Sequence, residues 1–67
     1  MNIKQFRNAH DRLIGRIIEG PGGIEQGRDF RDRPVGYYNP RTDETRDVAN
    51  RRVGKGNFLP ALITQAL

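Results

Sequence analysis

Gly20-Pro21-Gly22-Gly23 offers successive backbone amides of the kind that can cradle a phosphate. It lacks the strand-then-helix setting of a dinucleotide site, and Pro21 removes one donor, so a turn is expected there. Gly54-Lys55-Gly56 has the glycine–lysine pair that closes a P-loop. Position 49 is Ala where that motif needs Gly, and position 56 is Gly where it needs Ser or Thr, so the motif is not met. Acid–base and nucleophilic chemistry have little to draw on, because the sequence holds no Cys, no Ser and one His. His10 beside Asp11 has the makings of a dyad, but the expectation is an incidental exposed pair near the N-terminus. Asp43, Glu44 and Asp47 lie among Arg41 and Arg46 and read as a solvated, salt-bridged loop. No donors show the spacing of a metal site. The sequence therefore predicts no enzyme, no cofactor and no metal.

The richest chemistry belongs to the cations. Ten Arg against two Lys favours the guanidinium, which forks onto phosphate and stacks on bases. Arg12, Arg33 and Arg51 recur 21 and 18 residues apart, and Tyr37 and Tyr38 interleave with Arg33 and Arg41 as a stacking surface. These residues form the candidate surface for a nucleic acid or a protein partner. Asp11 and Asp32 accompany the same arginines, and cross-repeat Arg–carboxylate pairs would consume much of the net charge of +4. The leading reading is a non-enzymatic module for protein assembly or binding. The alternative is a small basic nucleic-acid-binding protein.

The elements that must hold these residues come from an internal repeat. Asp11-Arg12-Leu13-Ile14-Gly15 returns as Asp32-Arg33-Pro34-Val35-Gly36 and as Asn50-Arg51-Arg52-Val53-Gly54. A period near 20 is too short for a helix pair and suits a two-stranded hairpin. Asp or Asn before Arg reads as a turn releasing into a strand, and the β-branched residue then faces inward. Glycine in mid-strand marks a bulge, a bend or a close backbone approach. Strands are expected over 12–19, 24–30, 34–38, 45–48 and from 53. The fold class is mostly β, a meander of four or five short strands in hairpin repeats with a short C-terminal helix. Residues 1–9 carry no assignment. Asn39 to Asn50, rich in charge and turn formers, is the expected exposed loop. Ile14, Ile17, Phe30, Val35, Val53 and Leu62 are the expected core.

Residues 58–67 differ in kind. Leu59, Leu62, Ile63, Ala66 and Leu67 follow the apolar stripe of a helix. Asn57 is placed to cap it, and Pro60 falls in its first turn. So short a helix does not hold alone in water, so the stripe must dock on its own sheet or on another subunit; a short edge strand is the alternative for this segment. With 67 residues, 34% hydrophobic and no disulfide, the core is thin. Leu59, Leu62, Ile63 and Leu67 are accordingly the expected assembly face of a homo-oligomer. No apolar run approaches membrane-spanning length and no signal peptide is visible, so a single cytoplasmic domain over 1–67 is expected.

The repeat, followed by Val53-Gly54-Lys55-Gly56-Asn57 and the Leu-rich tail, resembles the small phage and bacterial proteins described as β-flower domains. The likeness covers roughly residues 10–67. It implies hairpins arranged around a pseudo-symmetric centre, and it implies no activity, because such proteins carry none assigned. Pro34 and the charged return strand at 43–48 depart from the pattern.

Overall fold

Each copy of the repeat folds as a β-hairpin, and the three hairpins stand side by side in one antiparallel sheet. The computed structural model describes residues 2–67. Its strands are β1 (Asn2–Arg7), β2 (Leu13–Glu19), β3 (Glu25–Asp29), β4 (Pro34–Asn39), β5 (Glu44–Asp47) and β6 (Arg52–Lys55), followed by helix α1 (Leu59–Gln65). The strand order is β1-β2-β3-β4-β5-β6, a pure meander. The sheet has six strands because the unassigned N-terminal segment forms β1, paired from Asn2↔Glu19 to Arg7↔Leu13. Gly20-Pro21-Gly22-Gly23 makes the β2–β3 turn, with Gly22 and Gly23 at φ of 73° and 78°. Its Gly20 and Gly23 amides already donate within the turn, to Ile24 and Gly20 carbonyls.

The hairpin turns show that the repeat is longer than its Asp/Asn-Arg signature. It starts at Arg7-Asn8, Arg28-Asp29 and Arg46-Asp47. In each turn one side-chain oxygen accepts two backbone N–H groups. Asn8 Oδ1 takes those of His10 and Arg12 at 2.9 and 3.1 Å. Asp29 Oδ1 takes those of Arg31 and Arg33, both at 2.9 Å. Asp47 Oδ1 takes those of Ala49 and Arg51 at 3.0 and 2.9 Å. Asp11, Asp32 and Asn50 then adopt φ of 59°, 63° and 64°, a left-handed conformation that Asp and Asn tolerate better than other side chains. The preceding arginine closes the loop: Arg7, Arg28 and Arg46 each donate through Nη1 to the carbonyl of that residue, at 3.0, 3.4 and 2.9 Å.

A β-bulge follows each of these three turns. Arg7 pairs with Leu13 while Phe6 pairs with Gly15, leaving Ile14 extra. Val35 and Val53 are the extra residues in the other two hairpins. A bulge turns two successive residues toward one side and bends the strand. The repeated Ile/Val-Gly step is therefore a bulge, and the same glycines serve a close approach.

Helix α1 makes that approach, crossing β2, β3 and β4 on one face of the sheet. Ile63 sits over Gly15, Leu59 over Gly27 and Leu62 over Gly36. Leu59 and Ile63 are fully buried, and with Ile14 they form the buried apolar core. The helix begins one residue later than expected, with Phe58 and not Asn57 at the N-cap, and Asn57 Oδ1 accepts the Leu59 N–H at 3.1 Å from just outside it.

The expected assembly face and much of the expected core lie elsewhere than the sequence suggests. Leu59 and Ile63 face their own sheet and are closed to a second subunit, because the glycines let the helix settle into van der Waals contact. Leu62 is half-buried beside them, and of the four only Leu67 is exposed. Ile17 and Val35 are half-buried. Val53 is 42% exposed on the edge strand β6, while α1 packs on β2, β3 and β4. Phe30 is 44% exposed, since it occupies a turn tip, where the Arg31 guanidinium lies 5.1 Å from its ring centroid. The expected loop from Asn39 to Asn50 contains β5, and its Thr45 is fully buried. Thr45 Oγ1 donates to the Gly56 carbonyl at 2.6 Å and accepts the Phe58 N–H at 2.9 Å, fastening the chain that leads into α1.

Candidate functional site

One face of the sheet is closed by α1 and the other is bare. Residues directly opposite each other on antiparallel strands share a face. The register therefore places Ile3, Ile18, Gln26, Tyr37, Arg46 and Arg52 in one row across the bare face. Gln5, Arg16 and Arg28 form the adjoining row, nearer the repeat turns. Two hollows lie on this face. One of about 470 Å³ is lined by Ile24, Tyr37, Asn39, Thr42, Glu44, Arg46 and Asn50. Another, of about 280 Å³, is lined by Ile18, Gly20, Pro21, Ile24, Gln26 and Tyr37. Tyr37 and Ile24 belong to both and form the ridge between them.

The polar groups of this face are held in chains. Arg28 Nε donates to Gln26 Oε1 at 2.8 Å, and Gln26 Nε2 donates to the Tyr37 hydroxyl at 3.2 Å. Asp32 meets both Arg16 and Arg28, at 3.5 and 3.4 Å. Glu44 meets both Arg46 and Arg52, at 3.9 and 3.1 Å. Two pairs of arginines thus flank Tyr37, and each pair shares one carboxylate.

The sequence-predicted residues are not gathered into one site. Arg12, Arg33 and Arg51 lie at the turns that end the three hairpins, all at one end of the sheet. Arg33 Nε reaches Asp29 Oδ2 at 3.4 Å and Arg51 Nε reaches Asp47 Oδ2 at 3.1 Å. Asn8 occupies the equivalent place before Arg12, and no carboxylate among the described residues pairs with that arginine. Arg41 lies in the β4–β5 turn at the opposite end. Tyr37 and Tyr38, adjacent in β4, point to opposite faces, and only Tyr37 joins the bare one. Tyr38 donates its hydroxyl proton to Asp43 Oδ1 at 2.8 Å. That hydrogen bond, with some burial and the neighbouring negative charges, pushes the Tyr38 phenol above its ordinary range.

The turn carboxylates are displaced the other way. The Arg33 backbone N–H holds the Asp29 carboxyl below its usual range, aided by the Arg31 N–H and the Arg33 guanidinium against an opposing effect of burial. Asp47 is lowered likewise, first by the Arg51 backbone N–H and then by the Arg51 charge and the Ala49 N–H.

Sequence reasoning missed Arg16, Arg28, Arg46 and Arg52. A signal for two of them was present. Gln5-Phe6-Arg7, Gln26-Gly27-Arg28 and Glu44-Thr45-Arg46 precede the three turns at matching places, with a polar acceptor two residues before each arginine. His10 and Asp11 are both exposed turn residues. Among the described residues no three His, Cys, Asp or Glu side chains are grouped to hold a metal, and no helix is long and apolar enough to cross a membrane. No protein-family model, curated protein or solved structure matches this chain.

Proposed function

We propose that the chain is a non-catalytic binding module whose working surface is the bare face of the sheet. The observation that carries this reading is the inequality of the two faces. The helix seals one so closely that Leu59 and Ile63 lose all exposure, while Ile24 and Tyr37 on the other remain 42% exposed beside ordered polar chains. The hollows there hold one carboxylate, Glu44, and two guanidiniums engage it. That is a poor arrangement for proton transfer and a good one for a fixed docking surface.

Assembly of copies belongs to the same reading, with its location moved from the helix to the sheet margins. Strands β1 and β6 are the edges, and an edge presents unpaired backbone groups that a second chain can complete. Ile3 on β1 and Val53 on β6 are 59% and 42% exposed. A cytoplasmic location is part of this reading. Light scattering after size exclusion tests it. A mass that is a multiple of 7.7 kDa, reduced to the single-chain value by Val53→Lys or Ile3→Lys, supports edge assembly. A single-chain mass at every concentration overturns it.

A second reading, binding of nucleic acid, is favoured by one specific observation: the arginines that share the bare face with Tyr37.

A further inference from the structure

We infer that the bare face takes a single-stranded nucleic acid, with a base on the Tyr37 ring and phosphates on the two flanking arginine pairs. The inference rests on the reading of that face as the working surface and names its partner. It starts from an electrostatic oddity. Arg16 stands directly opposite Arg28, and Arg46 directly opposite Arg52. Like charges in that relation destabilise a sheet. Each pair is relieved by a single carboxylate, Asp32 or Glu44. One positive charge per trio is left over, and the four arginines sit in the strands themselves.

The position of these trios is matched to an aromatic ring. Strand β4 carries Tyr37 midway between the pair on β2 and β3 and the pair on β5 and β6. Measured across the strands, the two pairs are three inter-strand spacings apart, on the order of 14 Å. Tyr37 is prearranged by its hydrogen bond from Gln26, itself fixed by Arg28. A surface ring between two cationic clusters is the arrangement in which a base stacks while its backbone crosses arginines. Guanidiniums add a planar fork for phosphate and a face for stacking. An unpaired strand fits better than a duplex, because only its bases have free faces to offer the ring. An acidic protein segment would use the charges and leave Tyr37 and the hollows beside it without a role.

The test is fluorescence anisotropy with the purified chain and a labelled oligothymidine of about 15 nucleotides, within the range of known single-strand site sizes. Two phosphates engaged on a single strand predict a loss of affinity of about sevenfold between 50 and 200 mM salt. Tyr37→Leu keeps apolar bulk and removes the ring, and should weaken binding by roughly 5- to 150-fold, the span of one base–aromatic stack. Arg16→Ala combined with Arg52→Ala removes one cation from each pair, and neither arginine closes a turn, so the sheet should persist by circular dichroism. That variant should lose most of the salt dependence, while Lys4→Ala, a cation on the opposite face of β1, should bind as the parent does.

No binding at 50 mM salt overturns the inference. So does Tyr37→Leu at parental affinity, a duplex bound as tightly as the single strand, or polyglutamate displacing the oligonucleotide at equal charge. The mass measurement that tests edge assembly is independent of every one of these outcomes, so either result can fail without the other.

Discussion

Replacing Gly36 by alanine is the sharpest perturbation of this architecture, because the glycine lies between the sheet and the helix. A Cβ there would stand 2.6 Å from the Arg46 carbonyl oxygen and 2.8 Å from Leu62 Cδ1. The carbonyl belongs to the neighbouring strand of the ladder and cannot swing aside, and Leu62 is anchored by the helix. Overpacking of this kind ordinarily costs about 1–3 kcal/mol, and a clash with backbone on one side and helix on the other belongs at the upper end. For a domain of this size about 1 kcal/mol moves the melting temperature by roughly 4–8 °C. Gly36→Ala should therefore lower it by on the order of 12–24 °C, close to the whole stability that so small a core supplies.

The other glycines supply a graded series in the same experiment. Gly15→Ala should be as severe, since its Cβ would meet the Arg28 carbonyl oxygen and Ile63. Gly27→Ala meets Leu59 and Val35 side chains at 3.1 and 3.3 Å, which yield by small shifts, and should cost less. Gly20→Ala has only the Ile24 carbonyl oxygen at 3.6 Å, at a φ of −111° that any residue adopts. It should be neutral, or stabilising by about 0.4–1 kcal/mol through the unfolded chain. Thermal unfolding followed by circular dichroism reads the order. If Gly36→Ala melts within about 5 °C of the parent, or no worse than Gly20→Ala, the docking of α1 onto the glycine track is refuted, because that displacement would match only about 1 kcal/mol.

Two further outcomes concern the fastenings of the fold. Thr45→Val preserves shape and removes the hydroxyl that joins Gly56 and Phe58, leaving the Gly56 carbonyl and the Phe58 N–H without that partly buried partner. It should cost about 1–3 kcal/mol, read as a lower melting temperature, and an unchanged melting temperature would show that this link carries no stability. Asp29 and Asp47 are held below the usual carboxylate range, so their contribution is full above the unfolded value near 3.8 and is lost as pH falls through the lower folded values. The parent should weaken from pH 5 toward pH 2. Asp29→Asn with Asp47→Asn should flatten that decline while keeping the turns, as Asn8 does; an acid limb as steep as the parent's would place the effect elsewhere.

The hairpin meander was legible because its punctuation is chemical. Asp or Asn takes the left-handed position, Gly20 and Gly56 follow the ends of β2 and β6, and Pro60 with Asn57 starts the helix. The mid-strand glycines also announced a close approach, and the helical stripe of the tail is what approaches them. The two features were readable separately, while their meeting was not, because nothing local fixes which surface a seven-residue helix will choose. The inward residues were blurred for a physical reason. Each bulge inserts Ile14, Val35 or Val53 as an extra residue, so a strict alternation loses step across it. Phe30 shows the reverse error, in which an apolar residue suggests a strand although the Asx bonds of Asp29 place it at a turn tip. The turn residues Asn8, Asp29 and Asp47 escaped notice because two chemically different side chains fill one geometric role. Tyr37 and Tyr38 were grouped by adjacency, yet adjacency in a strand is what separates them onto opposite faces.

The ten arginines are not equally open to a polyanion. Seven of the ten take part in ion pairs with carboxylates of the same chain, at distances from 3.1 to 3.9 Å. Most are well exposed, so as isolated pairs they contribute little to stability. Their directional role is greater. Arg7, Arg28 and Arg46 each deliver a guanidinium proton to a carbonyl whose residue is held at positive φ, and a guanidinium is needed because it can do this while still facing a neighbouring acceptor. Removing one of these three would disturb a turn, and any loss of binding that followed would say nothing about phosphate. Arg16 and Arg52 are different, since each contacts a carboxylate but closes no turn. Composition alone thus does not locate the charge open to a ligand, and on the bare face the register leaves two surplus charges beside one exposed ring.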